Sequence, residues 1–374
     1  MDSQHAKTAL VSGASIAGLA TAYWLSELGY RVTVVELAAA PRTGGGAVNV
    51  GGPALDSIRR MGLYEQLKPH ALHLDKWEFK NADDTTAGTM TLGDGPDGPP
   101  AEDLEIERYI LIPNLLGAIR GEVEYLFDNR ITALREAAAG VQATLADGTQ
   151  RTFDLVVGCD GVHSGVRKLW FGHETEYAHF LHYYFSLTSL DKPLMPPATA
   201  QLYNVPGKVV MVMDQGGKTD VAFCFYSEHE IAYDYRDTAQ QAAIVAAQFA
   251  GEGWRTTELL AEVAQQQTAY FDKFAQIRMP AWTKGRVALV GDAAYCATAA
   301  AGQGGALALA GATALADALR QHNGNIEAAL PAYDHALRPY VEEVQDMALV
   351  MLSEYLVPRT EAGIQKRNAG GIPF

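Results

Sequence analysis

The chain has 374 residues, of which 48% are hydrophobic and 20% are charged, and this balance excludes a wholly disordered protein. Its 29 Lys and Arg residues against 44 Asp and Glu residues give a formal net charge of -15, which repels phosphate backbones and argues against a nucleic-acid partner. The cysteines, Cys159, Cys224 and Cys296, are too widely spaced for a disulfide scaffold or a structural zinc site, so we predict no metal site and a reducing compartment.

Nothing in the sequence predicts export or membrane insertion. The start of the chain mixes Asp2, Gln4, His5 and Lys7 before any apolar run, which is the wrong order for a signal peptide. No stretch reaches the roughly 18 uninterrupted apolar residues that a membrane helix needs. We therefore expect a cytoplasmic protein with no membrane partner, present as a monomer or a homodimer.

Residues 8–36 predict a β-α-β unit. An apolar strand at 8–12 runs into a glycine-containing turn at 13–18, and leucines at helical spacing follow as far as Gly29. Gly29 is a typical helix stop, and the apolar run at 31–36 predicts a second strand. The unit therefore has a glycine turn at its first corner, between strand and helix.

The middle of the chain alternates between helical and strand patterns. Periodicity predicts a helix over 55–67, a strand pair over 77–92, a loop rich in Gly and Pro at 93–100, and a strand over 104–108 that is followed by a helix. Strands at 141–145 and 151–160 flank Asp147-Gly148, which is a strong signal for a β-hairpin.

A separate antiparallel sheet is predicted over 177–279. This stretch is rich in β-branched and aromatic residues, with helices predicted at 238–250 and 257–267. Because nucleotide-type signals resume at 285–292, we predict that the sheet is inserted into the first domain. We expect its aromatic side chains to lie in the core of the sheet by default, with the lining of a substrate pocket as the other option. These side chains include Tyr183, Phe185, Phe223 and Phe225.

A long amphipathic helix completes the predicted architecture. Apolar residues repeat at helical spacing over 331–357, with Pro331 in the first turn and Pro339 predicting a kink. The whole pattern predicts an α/β protein with a Rossmann-like domain, an inserted antiparallel β-sheet domain and a long C-terminal helix. The predicted boundaries are 1–75 with 101–176 and 280–325 for the first domain, 76–100 with 177–279 for the second, and 326–374 for the C-terminal helix and tail.

The turn at 13–18 carries the first chemistry. Gly13 permits the tight turn, Gly18 lets helix and strand pack closely, and Ser15 is small enough for a pyrophosphate to approach the N–H groups of a helix N-terminus. Glu36 closes the second strand, where a carboxylate can accept hydrogen bonds from an adenosine ribose. Strand, turn, helix, strand and acid together predict dinucleotide binding.

Two later segments repeat the order of strand, acid and glycine loop. The strand that ends in Asp160-Gly161 is followed by Ser164, a typical helix N-cap, although this pattern alone is equally typical of a plain strand and turn. The other segment has Asp292 after an apolar strand, then a glycine-rich run, 302–305, before an alanine-rich helix. Its carboxylate suits a ribityl hydroxyl, and the helix N-terminus suits a developing anion.

In this order and at these separations, the three segments resemble the class A flavin-dependent monooxygenases, the family with the para-hydroxybenzoate hydroxylase fold. The resemblance spans nearly the whole chain, including the inserted sheet and the C-terminal helix. Shorter segments resemble the branch that holds tetracycline-inactivating and aromatic-polyketide monooxygenases, namely Ala14-Ser-Ile-Ala-Gly-Leu19, Tyr23-Trp-Leu25, Gly52-Pro-Ala-Leu55, Met61-Gly-Leu63 and Trp282-Thr-Lys-Gly-Arg286.

The resemblance implies that the first domain binds FAD and the second binds substrate. It implies that the pyrophosphate lies on the turn at 13–18 beside Arg108, that Glu36 binds the adenosine ribose, that Asp292 binds the ribityl chain, and that 302–305 line the isoalloxazine. The segment of Asp160 and Gly161 is associated with both FAD and NAD(P)H, and Arg167 matches the arginine of that segment. The implied cofactor contacts are Gly13, Ser15, Ile16, Ala17, Gly18, Glu36, Arg42, Arg108, Asp160, Gly161, Asp292, Gly302, Gln303, Gly304 and Gly305.

The function that the resemblance implies is an FAD-dependent monooxygenase. NADPH or NADH, bound transiently, would reduce FAD, and a flavin C4a-hydroperoxide formed with O2 would hydroxylate a planar phenolic or polyketide-like aromatic small molecule. Because the cofactor carries out the difficult chemistry, few side chains are needed and the absence of an obvious acid/base pair is expected, so no catalytic residue is assigned.

Two departures from the family pattern keep alternatives open. Ala297 and Ala299 stand where relatives carry prolines, and Gly46, Asn49 and Gly51 replace a Gln, an Asp and an Arg. Both changes fall where flavin and substrate are expected to meet, so a catalytically altered or silent flavin-binding relative remains an alternative. A nicotinamide dehydrogenase that uses only the first motif is the other alternative, although such an enzyme has no use for the Asp-Gly and Gly-Asp segments.

Overall fold

The computed structural model describes residues 6–92, 102–137, 139–266 and 270–371. The chain divides into two compact units. Unit 1 comprises Met1–Ala71, Asp103–His179 and Ala275–Gln345, and unit 2 comprises Leu72–Glu102, Phe180–Phe274 and Asp346–Phe374. The loop predicted at 93–100 lies outside the described residues. The assignment of FAD binding to one domain and substrate binding to the other stays a prediction.

The strands of the described residues are numbered in chain order. They are β1 (Thr8–Ser12), β2 (Arg31–Val35), β3 (Val48–Val50), β4 (Lys76–Lys80), β5 (Thr86–Thr91), β6 (Leu104–Ile106), β7 (Val123–Leu126), β8 (Ile131–Ala137), β9 (Gly140–Leu145), β10 (Gln150–Phe153), β11 (Leu155–Gly158), β12 (Ala178–Leu190), β13 (Thr199–Val205), β14 (Lys208–Gln215), β15 (Lys218–Tyr226), β16 (Tyr270–Ile277), β17 (Thr283–Lys284) and β18 (Val287–Leu289).

The α-helices are numbered in the same way. They are α1 (Ile16–Glu27), α2 (Pro53–Arg60), α3 (Tyr64–Leu67), α4 (Arg108–Ala118), α5 (Gly165–Trp170), α6 (Thr238–Phe249), α7 (Thr256–Ala264), α8 (Asp292–Tyr295), α9 (Gly304–Gln321), α10 (Ile326–Val350) and α11 (Glu361–Gly370). Short 3-10 helices lie at Lys68–His70, Glu174–Glu176 and Ala299–Ala301, and a π-helical turn follows α10 at Met351–Leu356. Within the described ranges, none of the helices is long and apolar enough to cross a membrane.

Unit 1 is built on a six-stranded sheet with the order β17-β18-β11-β1-β2-β7. The strands from β18 to β7 pair in parallel, whereas β17 pairs antiparallel with β18. Helix α1 is buried continuously from Ile16 to Leu25, as expected of a helix that is apolar on all sides. Because parallel strands end at the same edge, the segments that follow β1, β2, β11 and β18 emerge there together.

Smaller sheets and helix packing complete unit 1. Strands β10, β9 and β8 form an antiparallel sheet, and β3 pairs with β6. Helix α9 packs on α1, where Trp24 Nε1 donates a hydrogen bond of 2.9 Å to Thr313 Oγ1. The Thr313 hydroxyl lies 2.8 Å from Ser57 Oγ of α2, so one chain of buried polar groups joins the three helices.

Unit 2 has a seven-stranded sheet with the order β16-β12-β15-β14-β13-β4-β5 as its framework. The pairs β12–β15, β15–β14, β14–β13 and β4–β5 are antiparallel, whereas β4 pairs in parallel with β13. Tyr184, Phe223 and Phe225 are fully buried in its core, and Tyr183 is buried as well. Phe185 is half-buried and stacks on Phe274 with 4.5 Å between ring centroids. The predicted α/β class and the predicted antiparallel sheet are therefore confirmed.

Two predicted elements are each divided in the structure. The helix predicted over 55–67 is interrupted at Gly62, whose φ of 73° ends α2 before α3 begins. The hairpin at Asp147-Gly148 is confirmed, but its second strand, predicted over 151–160, is two strands that belong to different sheets. The chain changes sheets at Asp154, whose carboxylate accepts hydrogen bonds from the N–H and hydroxyl of Thr8 at 2.8 and 3.0 Å.

Three helix boundaries also differ from the prediction. Arg108 opens α4 and does not end a strand, because the Glu107 carbonyl already accepts helical hydrogen bonds from the following turn. Helix α10 begins at Ile326 and not at Pro331, because Asn325 Oδ1 accepts a 3.3 Å hydrogen bond from the Ala328 N–H and caps the helix five residues earlier. Helix α7 ends at Ala264, before the predicted end at 267.

Candidate functional site

The turn between β1 and α1 is built on two glycines that accept no side chain. Gly13 has a φ of 102°, and a Cβ added there would lie 2.5 Å from the Cys159 carbonyl oxygen. A Cβ on Gly18 would lie 1.9 Å from the Gly13 carbonyl oxygen. The first turn of α1 therefore presses directly on the glycine turn and on the end of β11, which is the packing that a dinucleotide-binding turn requires.

The N-terminus of α1 presents free backbone donors. Ser15 is the N-cap, and its side chain makes no capping hydrogen bond. Among the described residues, the N–H groups of Ser15, Ile16 and Ala17 find no acceptor. The helix dipole adds partial positive charge at the same place. These orphan donors fit a pyrophosphate, so the turn at 13–18 is suited to hold one.

Glu36 supports this turn from the end of β2. Its Oε2 accepts a hydrogen bond of 2.7 Å from the Ala14 N–H, and its Oε1 accepts one of 2.9 Å from the Ala38 N–H. The sequence predicted the contact of Glu36 with a ribose but not this bridge. The carboxylate therefore fixes the backbone conformation of the turn in addition to any contact with a cofactor.

Asp160 is engaged within the protein. Its Oδ2 accepts hydrogen bonds from the Val166 N–H at 3.1 Å and from Ser12 Oγ at 3.3 Å, and Oδ1 accepts one from Ser164 Oγ. Burial raises the pKa of this carboxyl, and the hydrogen bonds oppose that rise. Asp160 thus joins the end of β1 to α5, while the following Gly161 makes a tight turn with a φ of 82°. The predicted N-cap role of Ser164 is confirmed by the 3.0 Å bond from the Arg167 N–H.

Arg167 links the Asp-Gly segment to the Gly-Asp segment. Its side chain is fully buried, and its guanidinium donates to the Ala293 carbonyl at 2.9 Å, to Glu174 Oε2 at 3.1 Å and to the Val162 carbonyl. Burial lowers the pKa of Arg167, and the charge of Glu174 opposes that change. The arginine therefore sets the position of α8 relative to β11.

The Gly-Asp segment lies between α1 and α9. Gly291 has a φ of 71°, and a Cβ there would lie 3.0 Å from Ala17 Cβ and 3.6 Å from Ala308 Cβ. Asp292 follows as the first residue of α8, and its Oδ1 lies 3.9 Å from where a Cβ of Gly304 would be. Burial raises the pKa of Asp292, and the positive charge of Arg108 opposes that rise.

Arg108 lies against the glycine-rich stretch that precedes β3. Its Nε donates a 3.2 Å hydrogen bond to the Gly46 carbonyl, and a Cβ on Gly45 (φ 110°) would lie 3.3 Å from its Cδ. The structure thus brings Arg108 together with Gly46 and within electrostatic reach of Asp292. Arg42 is exposed and forms no hydrogen bond or ion pair among the residues described, so the structure adds nothing to its predicted role.

The glycine run before α9 closes this part of unit 1. Gly302 is left-handed with a φ of 63°, and its carbonyl accepts a 3.3 Å hydrogen bond from Asn49 Nδ2. Gln303 is the N-cap of α9, and its side chain makes no capping bond. A Cβ on Gly305 would lie 2.2 Å from Val48 Cγ1, so β3 approaches α9 as closely as glycine allows. The N-termini of α1 and α9 and the carboxylate of Asp292 all lie in unit 1, and their donors and acceptor are of the kind that FAD requires, while the roles of residues 13–18, 292 and 302–305 in binding it stay a prediction.

Several contributors were not predicted from the sequence. Thr298, between α8 and the glycine run, has a φ of 83°, is buried, and has a hydroxyl without a hydrogen-bond partner. Gln276 and Gln345 hold the backbone just before it. No local pattern marks these glutamines, because one lies near the end of a strand and the other within a helix. Among the residues described, no group of His, Cys, Asp or Glu side chains is arranged to hold a metal ion.

The comparisons with known proteins agree with this geometry. A family model described as FAD binding domain matches residues 6–348. The uncharacterized protein Rv1260 of Mycobacterium tuberculosis (strain ATCC 25618 / H37Rv) is 36% identical over 341 residues, covering 91% of this chain and 92% of that protein. A flavin-dependent monooxygenase of Legionella longbeachae serogroup 1 (strain NSW150) is 31% identical over 353 residues, covering 93% of this chain and 89% of that protein. The crystal structure of tetracycline destructase Tet(55) has a TM-score of 0.84 at 30% identity, covering 99% of this chain and 98% of that one.

Proposed function

The chain belongs to the flavin-dependent monooxygenases with an FAD binding domain, and on that premise we propose that it hydroxylates a planar phenolic or polyketide-like small molecule with electrons from NADPH or NADH. In the balanced reaction, the reduced nicotinamide, a proton, O2 and the substrate give the oxidised nicotinamide, water and the hydroxylated product. The C4a-hydroperoxide that the family resemblance implies stays a prediction.

One observation carries the proposal. The free N–H groups at the start of α1 and the N-terminus of α9 lie in the same unit as Asp292, and together they offer the donors and the acceptor that the pyrophosphate, the ribityl chain and the isoalloxazine of FAD need. When bound, FAD supplies the redox chemistry by accepting a hydride and passing electrons to O2. The chain itself has to bind and orient FAD and the substrate.

Different residues bind different parts of FAD in this proposal. We assign the pyrophosphate to the N–H groups of Ser15 to Ala17, whose turn is fixed by Glu36. We assign the ribityl chain to Asp292, with Arg108 as the cation whose charge opposes the rise that burial causes in the pKa of this carboxyl. We assign the electron-rich edge of the isoalloxazine to the start of α9, where the helix dipole stabilises negative charge.

The substrate class rests on similarity and on the missing positive charge at position 51. Tetracycline destructases are similar to this chain over almost its full length, and tetracyclines are fused polycyclic phenols. In this chain Gly51 stands beside Asp103, because a Cβ on Gly51 would lie 2.6 Å from Asp103 Oδ2. An arginine at 51, as in the family pattern, would approach that carboxylate, so the glycine removes a cation from this edge. We therefore expect a less anionic substrate than a tetracycline to be preferred.

The test is turnover with isotopically heavy O2. The purified chain is supplied with FAD, NADPH or NADH, and a panel of phenolic polyketides that includes tetracycline, and the products are weighed by mass spectrometry. The proposal expects a product that carries one heavy oxygen atom and forms in step with nicotinamide oxidation. Gly305→Ala, which forces a Cβ to within 2.2 Å of Val48 Cγ1, should lose this activity. Gly117→Ala, where no atom lies within 4 Å of the new Cβ, should keep it.

The two alternatives predict different results. A silent flavin-binding relative would bind FAD and return no oxygenated product with any member of the panel. A nicotinamide dehydrogenase would bind NAD(P)H tightly without FAD, and the match to the FAD binding domain over residues 6–348 argues against it.

A further inference from the structure

Two buried glutamine side chains meet behind the loop that joins α8 to α9. Gln276, near the end of β16, is 1% exposed, and Gln345 of α10 is 3% exposed. Both lie in unit 1. The N–H groups of a buried amide need hydrogen-bond acceptors within the protein, so these acceptors identify the backbone that the amide restrains.

Each amide nitrogen donates to two backbone carbonyls. Gln345 Nε2 donates to the carbonyls of Ile277 at 2.8 Å and of Cys296 at 3.3 Å. Gln276 Nε2 donates to the carbonyl of Ala297 at 3.3 Å and to the backbone carbonyl of Gln345 at 2.6 Å. Two consecutive peptide groups of the loop are therefore held by two side chains, and Gln276 also binds the backbone of Gln345.

The orientation of this amide pair is fixed by its surroundings. Arg278 Nε donates a 2.9 Å hydrogen bond to Gln276 Oε1, which leaves Nε2 facing the loop. The Cys296 carbonyl also accepts a 3.0 Å bond from the Ile277 N–H, so β16 and α10 hold the same peptide from two sides. We call Gln276 and Gln345 the glutamine bridge, because they connect β16 and α10 to the loop between α8 and α9.

The residue that follows the bridge is strained. Thr298 is β-branched, has a φ of 83°, and is 4% exposed with an unpaired hydroxyl. A β-branched residue rarely adopts positive φ, and it persists there only when its surroundings over-determine the conformation. The glutamine bridge restrains the backbone one residue earlier, at Ala297, where the family pattern has a proline.

We propose that Gln276 and Gln345 are positioning residues that hold the loop from Cys296 to Thr298 in the conformation that binds FAD. This inference rests on the proposed function. The two glutamines would restrain the loop in place of the two prolines of the family pattern. The loop that the two glutamines hold connects α8, which begins with Asp292, to the glycine run 302–305, so movement of the loop would displace both predicted flavin contacts at once.

The test compares three glutamine-to-methionine variants of similar side-chain volume. Gln276→Met and Gln345→Met remove the bridge, and Gln241→Met is the matched control. Gln241 is also buried, at 6% exposure, and also donates to a backbone carbonyl, that of Asp234 at 3.2 Å, but it lies in unit 2. The first readout is amide hydrogen exchange of the peptide 296–303 in the absence of FAD, and the second is FAD affinity by flavin fluorescence quenching.

We expect both bridge variants to exchange the 296–303 peptide about 5- to 10-fold faster and to bind FAD about 5- to 10-fold more weakly, the effect of losing roughly one buried hydrogen bond. The control should leave both quantities unchanged even if it lowers thermal stability. In the variants that retain FAD, oxidation of NAD(P)H should exceed product formation more than in the wild type. If the bridge variants fold and keep wild-type exchange and affinity, or if Gln241→Met loses as much, the inference is wrong.

A rescue and a milder variant keep the test decisive. Ala299 is the first residue of a 3-10 helix, and its N–H donates no hydrogen bond among the described residues, so a proline at this position removes no hydrogen bond. Ala299→Pro in the Gln345→Met chain should restore slow exchange and FAD affinity, and no recovery would contradict the inference. If the methionine variants do not fold, Gln345→Asn keeps the amide but is too short for both carbonyls, and the same outcomes apply. Because exchange is measured without FAD, a wild-type chain that bound none would refute the proposed function while leaving this loop result readable.

Discussion

Replacing Gly18 by alanine tests the account of the glycine turn at its tightest point. The new Cβ would lie 1.9 Å from the Gly13 carbonyl oxygen and 2.9 Å from the Gly13 carbonyl carbon, and real Cβ contacts essentially never fall under 3.0 Å. Both neighbours are backbone atoms, so α1 or the turn must move by about 1 Å in a close-packed interior. Overpacking of this kind costs about 1–3 kcal/mol.

Two measurements on this variant follow from that displacement. The thermal midpoint should fall by about 2–4 °C for each kcal/mol lost. FAD affinity should fall by about 10- to 100-fold, because the N–H groups of Ser15 to Ala17 would no longer converge on one pyrophosphate. Differential scanning fluorimetry without FAD and flavin fluorescence quenching would measure the two effects.

Gly117 in α4 provides the matched control. A Cβ there meets no atom within 4 Å, so Gly117→Ala should leave FAD affinity unchanged and stabilise the helix by about 0.5–1 kcal/mol. If Gly18→Ala melts no earlier than the wild type and binds FAD as tightly, the description of this turn is refuted.

Three further predictions concern charged groups around the turn and the Gly-Asp segment. Glu36→Gln removes one of two carboxylate acceptors, so the Ala14 or Ala38 N–H loses its partner, and FAD affinity by fluorescence titration should fall about tenfold. Asp292→Asn should raise the unfolding midpoint of the FAD-free chain at neutral pH while weakening FAD binding. Burial raises the pKa of Asp292 above 3.8, so its ionisation costs stability as pH rises through the folded-state pKa, and the advantage of the variant should shrink toward about pH 4. Arg167→Lys cannot reach all the acceptors of the guanidinium and should lose about 3 kcal/mol in a denaturant titration.

Each of these predictions has a result that contradicts it. For Glu36, wild-type FAD affinity in the glutamine variant would mean that its hydrogen bonds with the Ala14 and Ala38 N–H groups do not shape the turn. For Asp292, an unfolding midpoint that differs from the wild type by the same amount at every pH would mean that burial does not perturb this carboxyl. For Arg167, unchanged stability in the lysine variant would mean that the arginine is not the link between β11 and α8.

The regular parts of unit 1 were predictable because local pattern and tertiary role agree. Apolar runs mark β1 and the strand that ends near Glu36. Glycine is required at 13 and 18 because the backbone there leaves no room for a Cβ. The antiparallel sheet of unit 2 was predictable for a similar reason, since its strands are rich in β-branched and aromatic residues.

The rest depended on side-chain hydrogen bonds that the apolar periodicity of the sequence does not reveal. Asp154 separates two strands only because Thr8 lies opposite it, and Asn325 starts α10 early through a cap that periodicity does not register. Gln276 and Gln345 are common polar residues in sequence, and their role appears only when β16 and α10 lie against the same loop. For Asp154 and the two glutamines the decisive partner is far away along the chain, whereas the cap of Asn325 is local but leaves no mark in the apolar periodicity.

The central claim is that this chain binds FAD through the turn at 13–18 and the segments at 292 and 302–305. The most direct measurement is a fluorescence titration of the purified wild-type chain with FAD, run beside Gly18→Ala and Gly117→Ala. The account predicts saturable quenching at one FAD per chain, preserved in Gly117→Ala and strongly weakened in Gly18→Ala. A wild-type chain that binds no FAD in excess, or a Gly18→Ala chain that binds it equally well, would contradict the account.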